Sequence, residues 1–293
     1  MYVSRILVNG VNKDLVKQIK GLFSELGYWI VYNDPDIIIS VNSINNTIRK
    51  YFAKFHNKII INVVPDGSSV IPLTKEHSGG SLISSFLADS LGANLVLTTS
   101  TGVKGLYSVE EFSWLNGFSI YGYDRKIVNS LNKKLVTEGK VNVYVDSYKG
   151  NYILYDGYSL VDHKTKADLI ISENVDSMED KSSNRLYLIP SGIYIGIRYL
   201  ESTPLDVLVY SLRMTLKSLY ILNDRIDYIV VPSSLKNDKK LHQITKYYYS
   251  NIIYGSDVDE RSSCEALLKE LKVKVLLKDV RRAFGVITCL GVK

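Results

Sequence analysis

The run Lys58-Ile59-Ile60-Ile61-Asn62-Val63-Val64 decides the fold class. It is almost continuously β-branched and lacks the apolar–polar alternation of a strand with one wet face. A run of this kind reads as a strand buried on both faces, the usual situation in a parallel sheet covered by helices. The flanking segments alternate strand and helix patterns. Ile6-Leu7-Val8 predicts a strand, and Leu15, Val16, Ile19, Leu22, Phe23 and Leu26 follow at the spacing of one helix face. Asn12 is placed to cap that helix and Gly27 to end it. Ile37–Val41 predicts another strand, and 45–55 another helix. Downstream, Pro65-Asp66-Gly67 is a turn, Val70–Leu73 a short strand, and Ser78–Leu91 a helix ended by Gly92. A strand at Asn94–Thr98 leads into a polar loop and a helix near Ser108–Leu115, with Ser108 as its N-cap.

The pattern changes after residue 117. A helix over Asp124–Glu138 precedes short strands at Val141–Val145, Tyr152–Tyr155, Leu169–Ile171 and Leu186–Ile189, with a polar loop over Val175–Asn184. From residue 190 the βα alternation returns. Ile193–Ile197 is a strand, and Thr203-Pro204 is an N-cap followed by proline at the first helical position. Later come strands at Asp227–Val231, Val273–Leu277 and Val286–Cys289, and helices at Asp238–Ser250 and Ser262–Leu271. The expectation is an α/β protein: α/β domains with largely parallel sheets at 1–117 and 190–293, joined by a small α+β segment at 118–189. No internal repeat is visible.

The chain has 293 residues, a formal charge of +6, 46% hydrophobic and 23% charged residues. That is globular composition and excludes disordered and collagenous classes. No apolar run approaches membrane-spanning length, and the N-terminus lacks a secretory h-region, so a soluble cytoplasmic chain is expected, without a membrane partner. Two cysteines and four histidines are too few for a disulfide framework or a dedicated metal site, so no metal is expected. Cys264 lies near a helix start, but no base accompanies it, which argues against a nucleophile. Most of the charge excess sits in residues 190–293. No nucleic-acid motif accompanies it, and Lys246-Tyr247-Tyr248-Tyr249 reads as a helix with mixed faces. Nucleic acid is therefore not the expected partner.

The residues placed for chemistry cluster between 70 and 101. A strand end, His77 and the pair Gly79-Gly80 lie just before a helix. In open α/β sheets ligands sit outside the carboxyl ends of strands. Glycines at a helix start let a ligand approach backbone N–H groups, and a histidine there can move protons near neutral pH. The hydroxyls of Thr98-Thr99-Ser100-Thr101 follow the next strand and can line the same crevice, or simply cap the strand end. No G-x-G-x-x-G spacing follows the first strand, which argues against a nicotinamide or flavin site. His56, His163 and His242 read as solvated. Arg281-Arg282 reads as a hairpin charge pair.

The stretch Ile71-Pro72-Leu73, His77-Ser78-Gly79-Gly80, Leu91-Gly92-Ala93, Thr98-Thr99-Ser100-Thr101, Gly105 and Ser108-Val109-Glu110 resembles the N-terminal domain of the cobalamin biosynthesis protein G family. Gly196 and Thr203-Pro204 resemble the start of its C-terminal domain. The resemblance implies a cobalt-precorrin-5A hydrolase of anaerobic vitamin B12 biosynthesis. Such an enzyme opens the substrate's δ-lactone and releases acetaldehyde to give cobalt-precorrin-5B. It implies an anionic cobalt tetrapyrrole as the partner, with the cobalt carried by the substrate and no separate cofactor. It implies His77 as catalytic base or acid, with Gly79, Gly80, Thr99 and Thr101 around the reacting group. Arg198 and Thr203 would help hold the substrate. The family's C-terminal pattern is degenerate over Gly196–Thr203, so a tetrapyrrole-binding homologue without activity is the alternative. Self-association into a homo-oligomer is left open.

Overall fold

The computed structural model describes residues 5–146, 148–173, 185–221, 223–256 and 264–293. The expected loop at 175–184 and the start of the expected helix at 262–263 lie outside the described residues. The fold is α/β, with three largely parallel sheets.

The first sheet runs in the order β2-β1-β3-β4-β5-β6. Its strands are β1 (Arg5–Gly10), β2 (Trp29–Ile30), β3 (Ile37–Val41), β4 (Ile59–Val63), β5 (Ser69–Pro72) and β6 (Asn94–Leu95). Both β3 and β4 are buried along their whole length, as the apolar run requires. Helix α1 (Lys13–Glu25) follows β1, with the Asn12 side chain accepting the Leu15 N–H at 3.1 Å. Between β3 and β4 the chain forms a short helix α2 (Ile44–Thr47), a π-helical turn Ile48–Phe52 and a further turn α3 (Ala53–Phe55).

Strand directions within this sheet matter for function. At one end Asp36 N–H donates to Arg5 O, and at the other Val11 N–H donates to Val41 O. Starts lie together and ends lie together, so β1 and β3 are parallel. β3 and β4 are also parallel. β5 runs antiparallel to β4, with Ile61 opposite Pro72 and Val63 opposite Val70. Past Pro72 the chain therefore returns toward the start of β4. There the Thr74 hydroxyl donates to Lys58 O at 2.6 Å and accepts the Ile60 N–H at 2.8 Å.

Helix α4 (Gly80–Leu91) ends at Gly92 in the left-handed conformation. β6 is shorter than the expected 94–98. A short helix α5 (Ser100–Val103) follows, then α6 (Val109–Leu115).

The second sheet runs β7-β11-β10-β8-β9. Its strands are β7 (Phe118–Tyr121), β8 (Val141–Asp146), β9 (Tyr158–Leu160), β10 (Leu169–Ser172) and β11 (Leu186–Pro190), with helix α7 (Arg125–Glu138). The expected strand at 152–155 is irregular chain. Tyr152 and Tyr155 there pack against the core by their rings, and β8 is flanked in the ladder by β10 and β9. Val109 and Phe112 of α6 enter this core beside Val128, Leu131 and Leu135 of α7.

The third sheet runs β14-β13-β12-β16-β15. Its strands are β12 (Ile193–Arg198), β13 (Tyr228–Pro232), β14 (Asn251–Gly255), β15 (Lys274–Arg281) and β16 (Ile287–Val292). Its helices are α8 (Leu205–Lys217), α9 (Lys239–Tyr248) and α10 (Cys264–Glu270).

Backbone contacts gather the chain into two compact units. One holds 8–16 and 37–190, and the other holds 17–36 and 191–293 together with the first residues of β1. The packing of α6 into the second sheet is one reason why 37–190 forms a single unit.

In the other unit Cys264 and Cys289 form a disulfide with Cα atoms 5.8 Å apart. Cys264, expected near a helix start and not as a nucleophile, is half of this bond, which ties the start of α10 to β16. Gly196 stands opposite Cys289. A Cβ at Gly196 would lie 2.6 Å from the Cys289 sulfur and 2.7 Å from the Cys264 sulfur, so glycine leaves the space the bond occupies.

Candidate functional site

The His77 cluster is assembled from the β5–α4 connection, the loop after β6 and the start of α6. Lys75 takes a left-handed conformation, with φ 55°. Its carbonyl oxygen accepts the N–H groups of Ser78 and Gly80, each at 3.0 Å. Gly79 is also left-handed, at φ 107°, a conformation that favours glycine. A Cβ on Gly80 would lie 2.9 Å from Lys75 O and 3.0 Å from Thr74 O. The glycine pair thus has a local structural cause. The expectation that Gly80 offers its N–H to a ligand is corrected, because Lys75 O already holds it.

Glu76 is buried, and its carboxylate gathers the loop after β6. It accepts Thr98 N–H at 3.2 Å, Thr98 Oγ1–H at 2.9 Å, Thr99 N–H at 3.1 Å and the Thr99 hydroxyl. Thr99 Oγ1 also accepts Gly102 N–H at 3.3 Å as the N-cap of α5. The Thr99 hydroxyl is therefore committed within the protein, which corrects its assignment to a reacting group.

Thr101 is brought to His77, with Oγ1 3.5 Å from Nδ1. Beside them stands Glu111, whose Oε2 is 3.9 Å from His77 Nδ1. The His77 side chain is 29% exposed and that of Glu111 only 4%, so the imidazole reaches solvent while its acidic neighbour does not. Glu111 Oε2 accepts Ser108 N–H and Ser108 Oγ–H, both at 2.7 Å, and Oε1 accepts the Ser81 hydroxyl. Burial pushes the Glu111 carboxyl above its ordinary value, with these bonds and the neighbouring His77 pulling it back.

Neither Glu76 nor Glu111 stands out as a site residue in the sequence. A signal for Glu111 exists: Ser108-x-x-Glu111 is a capping box, and both of its bonds are formed. That motif fixes the carboxylate at the helix start. The packing of Val109 and Phe112 into the second core then aims α6 so that Glu111 meets Ser81 and His77.

Arg198 ends β12, and Thr203 is buried just before α8. Both lie in the other compact unit. Thr203 N–H donates to Leu200 O at 2.8 Å, and its carbonyl accepts from Lys240 Nζ at 3.1 Å.

Among the described residues, one cluster has the makeup of a metal site: Cys264, Cys289 and Asp279, with ligand atoms within 4.8 Å of one another. The sulfurs are bonded to each other, so neither is a thiolate ligand. No helix is long and apolar enough to cross a membrane among these residues.

No protein-family model matches the chain, and no curated protein does. A solved structure from Sulfolobus solfataricus, proposed there as a cobalamin biosynthesis protein G homolog, is similar over 99% of this chain and 98% of that one. The TM-score is 0.60 at 16% sequence identity, so the chain shares that protein's fold along its whole length.

Proposed function

We propose that this protein acts in cobalamin biosynthesis, as a cytoplasmic hydrolase of the δ-lactone of cobalt-precorrin-5A. The observation that carries the reading is the half-exposed His77 imidazole beside the buried Glu111 carboxylate, 3.9 Å away. The resemblance in the His77 segment and the full-length fold likeness support it.

In this reaction His77 takes a proton from water as the oxygen adds to the lactone carbonyl carbon. The acyl C–O bond breaks, leaving an alkoxide and a carboxylic acid that gives its own proton to bulk water. The alkoxide collapses to acetaldehyde as its carbon–carbon bond to the macrocycle breaks. The electron pair stays with the conjugated ring, which takes up the proton that His77 held. Glu111 stabilises the imidazolium formed in between, as the acid of a hydrolytic triad does. Thr101 steadies the ring at the same nitrogen. Gly79, in the same turn as His77, is the glycine placed to meet the substrate. The cobalt belongs to the substrate.

A second reading, a tetrapyrrole-binding protein without activity, is favoured by one observation. The Gly80 N–H and the Thr99 hydroxyl are both committed internally, so two donors for an oxyanion are missing. Anaerobic incubation with cobalt-precorrin-5A separates the readings. Mass change and acetaldehyde formation, both lost in His77→Ala, support the hydrolase. Binding without acetaldehyde supports the second reading, and normal turnover by His77→Ala removes His77 from the mechanism.

A further inference from the structure

The antiparallel turn at β5 has a consequence for where ligands bind. It places His77 at the edge of the first sheet where β1, β3 and β4 begin. The crevice rule for open α/β sheets concerns the other edge, where parallel strands end, at the point where the strand order reverses. In the order β2-β1-β3-β4 the chain leaves β1 toward β2 on one flank and returns to β3 on the opposite flank. The reversal therefore falls between β1 and β3.

A cleft of about 440 Å³ opens at that point, lined by Asn9, Gly10, Asn42, Asn46, Arg49 and Lys50. Its size suits a small organic ligand. Its chemistry is one-sided, with two cations and three carboxamides and no carboxylate. Gly10 lets the strand ends meet there, since a Cβ would fall 2.3 Å from Val41 O. Asn42 is buried and donates to Ser40 Oγ at 3.0 Å, which holds its amide in place. Arg49 and Lys50 both lie on the π-helical turn Ile48–Phe52. Such turns interrupt the regular helix ladder and recur at functional sites.

We propose that this cleft binds a small organic anion, its carboxylate or phosphate oxygens held by Arg49 and Lys50 with the asparagine amides as neutral donors. Strands of five residues separate the cleft from the His77 edge by roughly 17 Å. The ligand is therefore a second one, distinct from whatever reacts at His77, and the proposal does not depend on the tetrapyrrole reading.

Titration calorimetry of the full chain with citrate and with inorganic pyrophosphate tests it, with the stronger binder distinguishing carboxylate from phosphate recognition. The expected result is binding that weakens with salt and falls about tenfold or more in Arg49→Ala/Lys50→Ala. Asn46→Asp should weaken it as well, and His77→Ala should leave it unchanged. Arg49 and Lys50 are exposed, so a folded double variant is expected, and Asn46→Asp provides the measurement if it is not. The proposal is overturned if neither anion binds below millimolar concentration, if the cleft variants bind as the parent does, or if His77→Ala loses binding equally.

Discussion

His77 Nδ1 and Glu111 Oε2 stand 3.9 Å apart, one side chain open to solvent and the other sealed against it. Three hydrogen bonds from Ser81 and Ser108 hold the carboxylate. The imidazole is left as the group of this pair that a ligand can touch. If Glu111 acts through His77, Glu111→Gln should lower kcat about 10- to 100-fold with little change in KM. Steady-state kinetics of acetaldehyde release measure this, and an unchanged kcat would separate Glu111 from the mechanism.

The same burial makes stability depend on pH. The folded protein holds the Glu111 proton to higher pH than the unfolded chain, whose glutamate titrates near its ordinary value of 4.5. Between those two values the native state binds more protons, so this contribution to stability falls as pH rises. It is fully present below about 4.5 and lost through the raised native value. Urea unfolding of the parent and of Glu111→Gln at stepped pH should show the difference between them shrinking upward from that point. A difference that grows with pH would contradict the assigned direction.

Glu76 is expected to be structural. Its carboxylate accepts four bonds from Thr98 and Thr99. Glu76→Ala leaves those donors partly unsatisfied and should destabilise the protein by about 1–3 kcal/mol. Gly102→Ala should act on the same contact, since its Cβ would lie 2.8 Å from Glu76 Oε1 and 2.9 Å from Leu97 Cβ. Thermal unfolding checks both, and a parental midpoint in both variants would show that the carboxylate does not hold the loop.

The Cys264–Cys289 bond closes a loop of 25 residues. By chain entropy such a loop stabilises the folded state by about 3.5 kcal/mol. Denaturant unfolding with and without reductant should show that loss, and Cys289→Ser should match the reduced protein. Equal midpoints, with free thiols counted in the untreated protein, would show the bond unformed.

Much of the local structure was legible from the residues alone. The β-branched runs at 37–41 and 59–63 are strands buried end to end. Asn12, Ser108 and Gly92 are the caps their chemistry suggests. Each of these depends on neighbours a few residues away. The site was legible only in part. His77 and Thr101 do meet, but Gly80 and Thr99 turn their polar groups inward. The Thr99 hydroxyl is claimed by Glu76, and nothing in local sequence shows where the Glu76 side chain turns.

The α/β class, the caps, and a histidine in a glycine-bearing turn before a helix follow from local residue pattern, because periodicity and backbone preference act over one or two turns of chain. That β5 runs against β4, that α6 delivers Glu111 to His77, and that Cys264 meets Cys289 emerges from long-range packing. Those outcomes rest on hydrogen-bond ladders and core packing between distant segments. The direction of one short strand moved the histidine to the opposite edge of the sheet from the cleft at Arg49 and Lys50.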